Sequence, residues 1–265
     1  MTTCLSDGSP YPYGERLLND FATRSFRDTA DGDYVAARLA YRARLIPQFL
    51  WLSLQSLEKY VKCILVLNRV SAIHRRHEVT PLLNRFQAAR KFDIKLSRSS
   101  RSFIEYLDTY GRHRYFETPY YTRDVEIMRL DLAVWEVRRY AHVIDYYIAT
   151  PKGIVHLLQQ ELRQIENAEN RPHRYRIMGG VLEGIVAKRD HPSREPLLWQ
   201  NAFFGGRHRR TVRLAAHFHA ANSPLSLHPE ILDEVLRFVY LPADVVQEYR
   251  RLAEQAGKQN IAMKR

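Results

Sequence analysis

Residues 54–68 read LQSLEKYVKCILVLN, and this stretch decides the fold. Extended backwards, Leu50, Leu54, Leu57, Val61 and Ile64 alternate steps of four and three. That spacing is one face of an α-helix and excludes the two-residue alternation of a half-buried strand. Pro47 falls in the first turn of this helix, where its missing N–H costs little. The charged band Glu58, Lys59 and Lys62 interrupts an otherwise apolar segment. At 100° per residue, Glu58 lies about 40° from the edge of the apolar stripe, and Lys62 lies one turn further on the same flank. The two form an i,i+4 pair in the favoured order, acid first. A charge this close to a core persists by pairing. Glu58 and Lys62 are therefore read as support for the fold, bound to each other or to His77 in the segment HEVTPLL (77–83).

The same argument works outward along the chain. Residues 1–14 hold Gly8, Pro10, Pro12 and Gly14 and read as an arm, with 1–32 set apart from the first domain. Asp33 is a candidate cap for a helix running to about Ile46. Thr80 before Pro81 opens a helix to about Lys91, and a further helix spans about 99–110, stopping at Gly111. Residues 123–148 carry the longest stripe, Ile127, Leu130, Val134, Val137, Ala141, Ile144 and Ile148, and predict one continuous helix ended by Pro151 and Gly153. Helices are expected over about 154–167 and 229–240 and from Pro242 onward, while 171–213 has poor periodicity. Few segments alternate with period two, so the fold class is all-α, a helical bundle over 33–150 with a helical C-terminal region over 151–265.

Composition narrows the partners. The chain of 265 residues is 45% apolar and 26% charged, the balance of a globular protein. No apolar run reaches the roughly 18 residues of a membrane span, so no membrane partner is expected. The N-terminal residues lack a basic flank and an apolar core, and two cysteines, Cys4 and Cys63, cannot form a disulfide framework, so a reducing cytoplasmic setting is expected. The net charge of +12 points to a polyanion, although 33 Arg against 8 Lys is also what a GC-rich genome produces. Residues 69–101 hold nine basic residues against two acids and 171–213 hold ten against three, whereas 229–256 hold three against six.

SLEKYVKCILVLN, followed by a His-acid-x-x-x-Leu-Leu segment (His77, Glu78, Leu82, Leu83), an RY loop (Arg114, Tyr115) and a final amphipathic helix, resembles the HEPN superfamily of small helical bundles. The resemblance covers about 33–148. It implies an RNA-directed protein of toxin or defence type acting as a homodimer. Many members are metal-independent endoribonucleases in which arginine grips a phosphate and histidine acts near the 2′-hydroxyl. The family signature is Arg, four to six residues, then His. Arg69/His74, Arg210/His217 and Arg213/His219 fit it, but chance supplies about four matches in a chain this rich in both residues.

In the expected final helix, Arg138 and His142 are separated by three residues, one short of that signature. Asp131, Arg138, His142 and Asp145 form a polar strip between two apolar flanks, the second of them Met128, Leu132 and Val143. Such a strip faces either a catalytic cleft or a partner protein. In the first case Arg138 binds phosphate, His142 moves the proton and Asp131 or Asp145 orients it. In the second it is a salt-bridged interface, and dimerisation is expected through this helix. Expected phosphate ligands are Arg139, Arg114 of the RY loop, and Arg207, Arg209, Arg210 and Arg213 of GGRHRRTVR (205–213). His217 and His219, two apart, would share a face only on a strand. With His208 and His228 nearby a metal is conceivable, but the spacing fits no standard zinc site and no metal is expected. MGGVLEG (178–184) lacks the GK[ST] ending of a phosphate loop, and no cofactor is expected. The alternatives left open are a nuclease, a non-catalytic protein-interaction module and a nucleotide-binding regulator.

Overall fold

The structure, a computed structural model, describes residues 14–263 other than 75, 113–115, 152, 170 and 206–210, with the side chains of 148–150 and 255–263 outside that description. The chain is mainly helical, with two short two-stranded ribbons. Of the expected N-terminal arm, residues 1–13 lie outside the described residues, and 14–32 is helical. Helix α1 (Gly14–Phe21) runs through a π-helical segment, Ala22–Asp28, straight into α2 (Thr29–Arg42). Asp33 is an interior residue of α2 rather than a cap, and its carboxylate is ion-paired with Lys59 of α3 (Ile46–Leu67).

The α2–α3 corner is a Schellman turn. Leu45 N–H donates to the Ala40 carbonyl and Arg44 N–H to the Tyr41 carbonyl, with Arg44 in the left-handed region at φ 61°. Arg69 at the end of α3 has φ 59° and Arg90, after α4 (Thr80–Ala88), has φ 51°. Arginine thus stands where glycine is the usual occupant. The backbone strain is offset in part by a cation at the negative end of each helix dipole.

Helix α5 (Arg98–Tyr110) is capped by Ser97, whose hydroxyl accepts from Ser100 N–H. It packs with α3 and α6 (Glu126–Arg138). Helix α6 is the most enclosed element, with ten of its thirteen residues buried, including Glu126, Asp131, Glu136 and Arg138.

The continuous helix expected over 123–148 ends at Arg138. Beyond it, side chains from elsewhere take the carbonyls that helical amides would use. Tyr175 Oη donates to Arg139 O, Cys63 Sγ to Ala141 O and Asn68 Nδ2 to Val143 O. Tyr147–Thr150 then forms β2, paired antiparallel with β3 (Gly153–His156) across a turn in which Gly153 has φ 120°. The other ribbon pairs β1 (Tyr120–Arg123) with β4 (Phe218–Ala221), distant in sequence.

The rest of the chain supplies α7 (Leu157–Asn167), α8 (Val181–Ala187), α9 (Arg194–Leu198), α10 (Pro224–Leu227), α11 (Leu232–Leu236) and α12 (Ala243–Met263). The main apolar core does not break at residue 150. Leu158, Ile165, Leu182, Ile185, Leu197 and Phe204 join the bundle residues in it. Leu225, Leu232, Leu241, Val245 and Tyr249 make a second, smaller core. Among the described residues, no helix is long and apolar enough to cross a membrane.

Candidate functional site

The four polar residues expected along one helical face have separate partners. Arg138 is buried, with Nε 2.6 Å from Asp31 Oδ1, Nη2 2.8 Å from Asp31 Oδ2 and Nη1 2.9 Å from Glu183 Oε1. Its guanidinium is committed to carboxylates. Asp131 accepts from Tyr34 Oη at 2.6 Å and from Arg38. Asp145 lies 2.7 Å from His156 Nε2. His142 Nε2 is 3.2 Å from Tyr175 Oη. Burial, helped by the charges of Arg27 and Arg138, pushes the His142 imidazole down to about 4. Asp131 and Arg138 are buried in the chain's own core, His142 is half-buried and Asp145 is exposed, so the four do not line one open cleft. Val143 is buried and Met128 and Leu132 are half-buried within the same chain.

What the strip builds is a pair of crossed ion pairs. Asp31 and Arg38 lie seven apart on α2, and Asp131 and Arg138 lie seven apart on α6. Asp31 meets Arg138, and Arg38 meets Asp131, as two antiparallel helices require. Arg38 also donates to the carbonyls of Pro196 and Trp199, and Leu182 N–H lies 3.3 Å from Asp31 Oδ2. The buried charges therefore pin the irregular 180–201 segment to the bundle. The equal seven-residue spacing was visible in the sequence, but which acid meets which arginine was not.

Glu58 is buried, with Lys62 Nζ at 2.7 Å, His77 Nδ1 at 3.1 Å and Gln55 Nε2 at 3.2 Å. Arg139 is buried between the rings of Trp135 and Tyr140 and is withdrawn from any phosphate. Arg114, Arg207, Arg209 and Arg210 lie outside the described residues. Arg213 is exposed, on the rim of a pocket of about 270 Å³ with Arg42, Arg44, Asp124 and Trp199.

That rim belongs to an open cluster of acid, arginine and histidine side chains. Asp124, directly after β1, is buried. Its Oδ1 accepts from Tyr41 Oη at 2.7 Å and Arg44 Nη1 at 2.9 Å, and its Oδ2 accepts from the His217 amide at 3.0 Å. Burial opposes ionisation, but the His217 amide, the Tyr41 hydroxyl and Arg44 outweigh it and hold the carboxyl well below the usual carboxylate range. His217 Nδ1 lies 3.0 Å from Asp124 Oδ2 and a longer 3.4 Å from Arg44 Nη2; a carboxylate only accepts, so with Nδ1–H turned to the nearer oxygen Nε2 is left as the basic nitrogen. An arginine only donates, so His219 Nε2, 2.9 Å from Arg44 Nη1, is an acceptor and the His219 proton sits on Nδ1. The ring centroids are 6.2 Å apart. One imidazole thus presents a base and its neighbour an N–H. His219 lies on β4 and His217 directly precedes it, the condition under which the two could share a site. Among the described residues, no three His, Cys, Asp or Glu side chains converge as a metal-binding set.

Comparison with protein-family models, with curated proteins and with solved structures gives no match. The site therefore rests on its own geometry. Reasoning from sequence singled out Arg213, His217 and His219 but missed Arg44, Asp124 and Tyr41. The signal for Arg44 was an arginine closing a helix where glycine is usual. Asp124 carried none, because only the pairing of β1 with a strand some hundred residues away brings it to the histidines.

Proposed function

We propose that the protein is RNA-directed and cleaves a phosphodiester without a metal, and that Arg44, Asp124, His217 and His219, with Arg213 at the rim, form its site. The observation that carries this reading is the placement of two neighbouring imidazoles against one buried carboxylate and Arg44, beside exposed arginines in a chain of net charge +12. The resemblance of EKYVK and HEVTPLL to the HEPN superfamily supports RNA as the polyanion. The geometry moves the site away from Arg138 and His142.

RNA carries its own nucleophile, so the residues need only move protons and hold charge. His217 Nε2 takes the 2′-hydroxyl proton as the oxygen attacks phosphorus. The P–O5′ bond breaks, and His219 Nδ1–H protonates the leaving oxygen. The products are a 2′,3′-cyclic phosphate and a 5′-hydroxyl. Asp124 orients His217, and Arg44 and Arg213 balance the charge on the phosphoryl oxygens.

The test is cleavage of fluorescent RNA in EDTA. His217→Ala and His219→Ala each lower the rate about 10²–10⁴-fold. Arg213→Ala weakens RNA binding and flattens its salt dependence by about 0.7 in log–log slope. Arg44→Gly deletes the guanidinium while suiting the left-handed backbone, and its melting temperature is read beside its activity because the buried Asp124 loses an ion-pair partner. RNA that neither binds nor is cut by the wild type refutes the reading.

A second reading, a protein-interaction module, is favoured by one observation. Phe238 and Tyr240, between α11 and α12, are 78% and 85% exposed within the acidic 229–256 segment.

A further inference from the structure

The β1–β4 ribbon has a second face. Antiparallel pairing sets Tyr121 opposite Ala220 and Arg123 opposite Phe218, so these four share one side, while Thr122 and His219 share the other. The histidine side turns inward, towards Asp124. The opposite side carries two large aromatic rings in the open, Phe218 63% exposed and Tyr121 42% exposed. Their planes lie 21° from parallel with centroids 6.0 Å apart. Solvent-exposed aromatic pairs are costly to leave uncovered, and a two-residue-wide ribbon has no core of its own to demand them.

Tyr121 is packed against two further rings. Tyr110 packs edge-on against Tyr121 at 5.3 Å, Tyr106 packs against both, and Tyr106 Oη donates to the Tyr121 carbonyl at 2.6 Å. Beside Phe218 a pocket of about 370 Å³ opens, floored by Val125, Met128, Val212 and Leu214 and edged by Arg123. Arg123 is half exposed, and its contact with Glu126 is long, 3.4 Å, while Arg129 also serves that carboxylate. The ribbon therefore offers near-parallel rings, an apolar slot and a cation, and the lining of the slot runs from Phe218 to His217 and Asp124.

We infer that the outer face of the β1–β4 ribbon, Tyr121 and Phe218 with Arg123, is a stacking platform for unpaired nucleobases, so that the RNA is single-stranded where it crosses the site. The inference rests on the reading of the histidine cluster as an RNA site and names the substrate class for it. Every base has a π-face, so stacking on tyrosine and phenylalanine needs no particular sequence, and an adjacent arginine adds backbone attraction and cation–π contact. A paired base is already stacked and cannot use the platform. The face fits a base rather than the apolar anchor of a protein partner because its open rings lie beside a cation, in continuity with the cluster that would hold the adjoining phosphate.

The experiment measures binding of three probes to the full-length protein by fluorescence anisotropy in EDTA, with probes carrying 2′-deoxy or 2′-O-methyl sugars to prevent cleavage. The probes are an unstructured oligonucleotide, an abasic oligonucleotide of equal phosphate count and a duplex. Wild type binds the base-bearing single strand more tightly than the other two. Phe218→Ala and Tyr121→Leu each weaken that binding about 5- to 150-fold, the range for loss of one stacked base, and leave abasic binding and the salt slope unchanged. Phe218→Trp restores or strengthens it, which a merely misfolded ribbon would not allow. Equal binding of abasic and base-bearing strands overturns the platform while leaving the histidine cluster as a phosphate site. Binding of none of the probes overturns both. Variants that leave RNA binding unmoved but abolish self-association in light scattering would assign the face to a protein contact and overturn the inference.

Discussion

Arg138→Met is the substitution that most sharply separates a buried scaffold from an active site. In the structure the Arg138 guanidinium is fully engaged, by both Asp31 oxygens and by Glu183. Removing it leaves Asp31 with no exposure to water and only the Tyr60 hydroxyl and the Leu182 N–H as donors. Glu183 is less affected, because its side chain keeps 17% exposure and can recruit solvent. Truncating one partner of a buried pair costs about 3–5 kcal/mol, most of it the penalty of the stranded charge. For a chain of this size each kcal/mol lowers Tm by about 2–4 °C, so the expected loss is about 6–20 °C. Asp31→Asn in the Arg138→Met background removes the stranded charge, keeps an acceptor for Tyr60 and recovers at least half of that loss. Differential scanning calorimetry reads both. An Arg138→Met protein melting within 2 °C of the wild type would mean that the guanidinium is not holding the core together, and the reasoning would fail.

Three further outcomes follow from the same contacts. The His142 imidazole titrates at about 4 in the fold against roughly 6.5 in an unfolded chain, so between those values the unfolded state binds the extra proton. Stability is therefore present above pH 6.5 and falls by up to about 3 kcal/mol towards pH 4. In His142→Phe this part of the pH dependence, read by urea titration, is absent, and an unchanged profile would contradict the assignment. Glu58→Ala strands Lys62 and His77 around a buried site and lowers Tm measurably, whereas equal melting temperatures would remove the support role. Gly111→Ala places a methyl 2.9 Å from the carbonyls of Leu107 and Leu50, and chemical denaturation should show a loss of about 1–3 kcal/mol; a neutral result would mean that the α3–α5 contact yields freely.

The sequence by itself determined the helices whose signals are local. The stripe from Leu50 to Ile64, Pro47 in a first turn, the Thr80–Pro81 start and the Gly111 stop all lie where the structure has them, because a 3.6-residue period and cap chemistry act within a few residues. The proximity of Glu58, Lys62 and His77 was legible for the same reason.

What only the tertiary structure decided is where long-range groups compete with local preference. Residues 139–148 have helical periodicity, yet Cys63, Asn68 and Tyr175 capture their carbonyls and the segment leaves the helix. A polar strip on a wheel looks the same whether it faces water or another helix. Only α2 lying antiparallel on α6 turned Asp131 and Arg138 into a core lattice. The histidines at 217 and 219 had no strand to share until β4 paired with β1, and that pairing, formed across nearly a hundred residues, carried Asp124 and Arg44 to them. Sequence spacing carries no information about such contacts, because the energy that selects them is realised only when distant surfaces meet.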